Sequence, residues 1–131
     1  MGACYYVKLK VKVLDEQGAI KALNKHMEET KNGVMYSLEK YAEQGVFTET
    51  FDDLMRIFLA GWKHQEVTIT PKRIYTYYEN DFDASYGWES VMMNMFEVIT
   101  PYVKDGSELL IYPDSDYDKL VVKNGKCVQL H

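Results

Sequence analysis

The sequence has 131 residues, 47% of them hydrophobic and 27% charged, with a formal net charge of −5 and two cysteines. That length suits one domain over 1–131 with a sizeable core and no need of disulfide or metal staples, and the composition excludes wholesale disorder. No apolar run approaches the roughly 20 residues of a membrane-spanning helix, and Cys4 and Cys127, with no CxxC pair, read as reduced thiols of a cytoplasmic protein; a bridge joining the first and last strands is the alternative.

The first elements alternate strongly. Tyr5, Val7, Leu9, Val11 and Val13 fall on one side, and Tyr6, Lys8, Lys10 and Lys12 on the other. This period of two predicts a half-buried strand with one solvated face, not a signal peptide. Asp15 can then cap a helix in which Ala19, Ile20, Leu23, Met27 and Thr30 recur at helical spacing, with Gly18 a blemish in its first turn and Asn32-Gly33 ending it. Positions 34–44 carry a weaker helical pattern. A better one follows Thr48 or Thr50, where Phe51, Leu54, Met55, Phe58 and Trp62 form a stripe and Asp52 and Asp53 complement the helix dipole; it is expected to end near Gly61.

Positions 66–70 and 72–79, rich in Val, Ile, Thr and Tyr, predict a hairpin reversing at Thr70-Pro71-Lys72, followed by a polar stretch through Asp83. Trp88, Val91, Met92, Met95, Phe96, Ile99 and Tyr102 make the strongest helical stripe in the chain, with Pro101 and Gly106 closing it. Strands are predicted at 109–112, 120–123 and 126–130, and Asn124-Gly125 is the signature of a type I′ hairpin turn. Without regular βαβ alternation, these elements predict an α+β fold: a mainly antiparallel sheet of five to six strands with about three helices on one face.

The motifs that carry chemistry stop short. Asp114-Ser115-Asp116-Tyr117-Asp118 copies the opening of a calcium-binding EF-hand loop, but its sixth and twelfth places hold Lys119 and Gly125 instead of glycine and glutamate. Asp83-Ala84-Ser85-Tyr86-Gly87 approaches a nucleophile elbow without its first glycine, in a loop-to-helix context where Ser85 reads better as a helix cap. His26, His64, His131 and the two cysteines offer no zinc-like spacing, and no phosphate-binding glycine loop is present, so no cofactor is expected.

Charge and tyrosines are the remaining signals. Positions 79–118 hold ten acids and one base, Lys104, a net of −9, while the rest of the chain carries 14 bases and 10 acids. Such a segment repels phosphates and attracts basic protein surfaces, so it predicts a protein partner and no direct nucleic acid. Of the eleven tyrosines, Tyr75 and Tyr77 share one strand face, and exposed tyrosines favour interfaces. The expected partner-binding residues are therefore Asp81, Asp83, Glu89, Asp114, Asp116, Asp118, Tyr75, Tyr77 and Tyr86.

The stretch 82–89, Phe-Asp-Ala-Ser-Tyr-Gly-Trp-Glu, with Asp105-Gly106-Ser107 and Tyr112-Pro113-Asp114-Ser115-Asp116, resembles small uncharacterised accessory proteins of bacterial phages and conjugative mobile elements. The resemblance covers about the last third of the chain and implies an inhibitor or adaptor of host proteins, anti-CRISPR proteins included. The leading expectation is thus a non-enzymatic acidic module that docks on a basic, nucleic-acid-handling host protein. A small carboxylate-based hydrolase or transferase, with or without a divalent cation, and a homodimer closing two sheets are the other readings.

Overall fold

The first strand organises the molecule. β1 (Ala3–Val11) pairs antiparallel with strands on both sides, which places it inside a six-stranded antiparallel sheet. The computed structural model describes residues 3–29, 49–60, 67–84, 87–112 and 118–130. In chain order, β1 is followed by α1 (Glu16–Glu29), α2 (Phe51–Phe58), β2 (Thr68–Pro71), β3 (Thr76–Ala84), α3 (Trp88–Ile99), a 3₁₀ turn (Thr100–Tyr102), β4 (Glu108–Tyr112), β5 (Asp118–Lys123) and β6 (Lys126–Leu130). The strands lie in the order β2-β3-β1-β4-β5-β6, and every neighbouring pair is antiparallel. The α+β fold is as the sequence predicts. The weak helical pattern at 34–44 lies outside the described residues.

Alternation in the strands creates the core. Val7, Leu9, Leu109, Ile111 and Val122 are fully buried, and Tyr5, Val11, Tyr78, Phe82 and Leu120 nearly so, all directed to the side the helices cover. Each helix contributes its predicted stripe: Ala19, Leu23 and Met27 from α1, Leu54, Met55 and Phe58 from α2, and Trp88, Met92, Met95, Phe96 and Ile99 from α3. Burying a side chain of this kind stabilises the fold by about 1.5–3 kcal/mol.

The capping residues follow the sequence in two helices and depart from it in the third. The Asp15 carboxylate accepts from the Gly18 amide at 3.0 Å, while Thr50 and Asp53 exchange the reciprocal bonds of a capping box at the start of α2. For α3 the cap is Gly87, with φ of 90° and no side-chain hydrogen bond, where the sequence suggested Ser85, which lies outside the described residues. Helix α2 ends at Phe58, one turn before the expected Gly61, because other side chains take its last carbonyls. Trp88 Nε1 donates to Phe58 O at 2.8 Å and Asn80 Nδ2 donates to Leu59 O at 2.8 Å. These two bonds satisfy orphan helix-end acceptors and tie α2 to both α3 and β3.

The hairpin between β2 and β3 turns later than expected. Pro71 pairs with Thr76 as the last residue of an edge strand, where its missing N–H is tolerated, and Lys72 to Tyr75 form the reversal, closed by the Lys72 amide on Tyr75 O at 3.0 Å. β3 then runs through the polar stretch to Ala84. Tyr78 and Phe82 face the core while Glu79, Asp81 and Asp83 face outward, a period of two that the acids conceal. At the other hairpin Asn124 and Gly125 take φ of 53° and 73°, as a type I′ turn requires.

A disulfide between the two cysteines is ruled out by topology. Cys4 lies on β1 and Cys127 on β6, with β4 and β5 between them. Three strand spacings amount to about 14 Å, twice the roughly 7 Å limit between bridged Cα atoms. Moreover, Cys4 is exposed opposite Asp83 on the outward face, whereas Cys127 packs against the core; neither is in a disulfide.

Gly18 is no blemish in this setting. A Cβ there would collide with the Asp15 carboxylate and come within 2.8 Å of the Tyr102 ring. Alanine normally stabilises a helix interior by about 1 kcal/mol relative to glycine. Here Gly18→Ala should lower the melting temperature instead, since it displaces the Asp15 cap, itself worth about 0.5–2 kcal/mol; thermal unfolding of the purified variant checks the sign.

Candidate functional site

Outward-facing residues of β1, β3 and β4 meet on the side of the sheet opposite the helices. Register places Tyr6 beside Asp81 and Tyr112, Lys8 beside Glu79 and Leu110, and Lys10 beside Tyr77 and Glu108. Among the described residues no helix covers this face. A depression of about 350 Å³ lies at its centre, lined by Tyr6, Lys8, Lys10, Tyr77, Glu108, Leu110 and Tyr112.

The aromatic rings on this face are held by cations and by one another. Tyr6 and Tyr112 are stacked obliquely with centroids 5.6 Å apart, and remain 37% and 42% exposed, among the most exposed large apolar side chains described. Lys10 Nζ lies 4.4 Å from the Tyr75 ring centroid, and Lys8 and Lys72 lie 5.4 and 5.3 Å from that of Tyr77. The Tyr75 hydroxyl donates to Asp105 O at 2.9 Å, which fixes the ring at the edge of the face. Burial and the nearby Glu79 carboxylate push the Tyr6 phenol above its ordinary range.

The described acids do not gather into one patch. Glu79 pairs with Lys8 at 3.7 Å and Glu108 with Lys119 at 3.5 Å, so the basic outward face of β1 and the base of β5 offset two of the ten. Asp105 accepts from the amides of Asn124 and Gly125 at 2.8 and 3.0 Å, holding the last hairpin turn. Glu97 lies on α3. Among the described residues, Asp81 and Asp83 are the acids both exposed and on the open face, and Asp83 accepts a weak bond from Cys4 Sγ at 2.9 Å.

Of the residues expected from sequence, the structure thus brings Asp81, Asp83, Tyr75 and Tyr77 to one face. It does not bring Glu89 there. That carboxylate stands on α3, on the helix side, and accepts from the Tyr5 hydroxyl at 2.7 Å. Tyr86, Asp114 and Asp116 lie outside the described residues. Asp118 opens β5 opposite Ile111, at the same end of the sheet as Tyr6 and Asp81, and Lys119, the sixth place of the EF-hand-like stretch, is a strand residue. Tyr6, Lys8, Lys10, Leu110 and Tyr112 were not expected at the site, although the alternation of the first strand already put Tyr6, Lys8 and Lys10 on a solvated face.

The carboxylates used internally sit beside phenols. Tyr78 donates to Asp52 at 2.6 Å and Tyr5 to Glu89 at 2.7 Å, both on the helix side. Burial first, then the bonded carboxylate, pushes the Tyr5 phenol up to about 12 and raises Tyr78 further. Among the described residues, no three His, Cys, Asp or Glu side chains converge as a metal site would need, and no helix is long and apolar enough to cross a membrane. Comparisons with protein-family models, curated proteins and solved structures find no match to this chain.

Two measurements check this geometry. Burial and the nearby Glu97 raise the Cys127 thiol whereas Cys4 is exposed, so a thiol reagent should modify Cys4 well before Cys127 in the native protein and both together once it is unfolded. Because Tyr5 keeps its proton in the fold beyond the usual 10, the stability it contributes is complete below pH 10 and is lost as pH rises from 10 toward about 12. Glu89→Gln, which can still accept the bond but removes the charge, should leave the onset near pH 10 and make that loss smaller and complete at a lower pH, in melts followed across the alkaline range.

Proposed function

We propose that the open face of the sheet is a protein-docking surface and that the chain is a non-enzymatic binding module. The carrying observation is the exposed Tyr6–Tyr112 pair beside a 350 Å³ depression, flanked at one end by Asp81 and Asp83 with no lysine opposite them in register. Tyrosine rings supply contact area at small entropic cost, and a depression gives a partner side chain a pocket to fill. Unneutralised carboxylates beside it select a basic partner.

The partner class that suits this chemistry is a basic, nucleic-acid-handling protein, and blocking its nucleic-acid channel would make the chain an inhibitor of the kind mobile elements carry. Lysines interleaved with the tyrosines would also suit stacked nucleobases. The exposed carboxylates Asp81 and Asp83 on the same face count against that alternative, because they repel the phosphate backbone.

Affinity capture from a host lysate, with Asp81→Lys/Asp83→Lys as the control bait, tests the reading. A protein captured by the wild type should be released as salt rises, and against the double variant its association should slow by about tenfold or more, with a flatter salt dependence. Tyr112→Ala should instead speed its dissociation. A partner whose binding ignores salt, both aspartates and Tyr112 would place the docking surface elsewhere.

A further inference from the structure

The open face carries opposite charge at its two ends. Asp83, Asp81 and the Tyr6–Tyr112 pair stand at the end where β1 begins. Lys10, Lys72, Lys123 and Lys126 stand at the other. Pairing of Pro71 with Thr76 and of Thr76 with Val11 sets Lys72 beyond that end of β1, and Lys123 and Lys126 oppose one another directly across β5 and β6. A like-charge pair in that position opposes sheet formation, and both lysines are exposed. Between the ends, Lys8 with Glu79 and Lys119 with Glu108 are already neutral, and the half-buried Leu110 and Val128 supply apolar area.

We infer that this face is complementary to itself, and that two copies of the chain pack sheet against sheet about a two-fold axis lying across the strands. Such an axis reverses strand direction between the copies, so Asp81 and Asp83 of each meet Lys10 and Lys72 of the other, and every contact is made twice. Six strands about 4.8 Å apart, each offering roughly 20 Å of length, give a face of about 600 Å² before side-chain relief is counted. That approaches the roughly 800 Å² per partner of a standard interface. The occupant is a second copy because an unrelated basic surface answers only the acidic end, whereas this chain answers both. The inference rests on the same face as the docking reading, and makes the second copy and the host partner mutually exclusive occupants of it.

Light-scattering mass over a concentration series of the purified protein tests this without any partner, so its failure leaves host docking to be judged separately. The wild type should rise from 15.3 kDa to twice that value. Asp81→Lys/Asp83→Lys and Lys10→Glu/Lys72→Glu should each stay at the single-chain mass. Their equimolar mixture should recover the doubled mass, since one variant is then basic at both ends and the other acidic at both, and that recovery also shows both to be folded. A wild type that stays single at every concentration, a dimer that survives in both variants, or a mixture that stays single overturns the inference.

Discussion

The structure depends on β1 having two different faces. Its inward residues, Tyr5, Val7, Leu9 and Val11, are all at most 2% exposed and lie at the centre of the core. Its outward residues, Tyr6, Lys8 and Lys10, form the floor of the open face and meet acids from β3 and β4. A strand that is paired on both sides cannot shift by one residue without exchanging these sets. The register of the sheet, the position of the helices and the charge balance of the open face therefore follow from one alternation.

Side chains that reach across elements complete the helix layer. Trp88 and Asn80 take the last carbonyls of α2, Tyr78 bonds Asp52 at its start, and Tyr5 bonds Glu89 near the start of α3. Helices α2 and α3 are thus fixed by apolar burial and by hydrogen bonds aimed at their ends. Removing one partner of such a buried bond leaves the other unsatisfied at a cost of about 1–3 kcal/mol. The same bonds occupy Asp52 and Glu89, which explains why carboxylates numerous in the sequence are few on the surface that would meet a partner.

Function is proposed on what remains after this internal use. Asp81 and Asp83 are left at one end of the face, lysines at the other and tyrosines between.

Element types and most boundaries were legible in the sequence. The stripe from Trp88 to Ile99, the alternation from Tyr5 to Val11 and the Asn124-Gly125 turn each carry a period or a backbone requirement that local chemistry enforces. The strand from Thr76 to Ala84 was harder, since acids at every second position read as loop until a lysine strand is set beside them. The candidate site was legible only in part. Tyr75, Tyr77, Asp81 and Asp83 share a strand face by alternation, but Glu89 follows them closely in sequence and still lies across the sheet, because the chain enters a helix on the covered side at Trp88. The sequence by itself determined which residues are apolar, where the chain turns and that a segment is rich in acid. Only the tertiary structure decided that two of these acids are offset by lysines of other strands, because charge is summed along a chain by position but felt through space, and strand pairing sets Lys8 beside Glu79 and Lys119 beside Glu108.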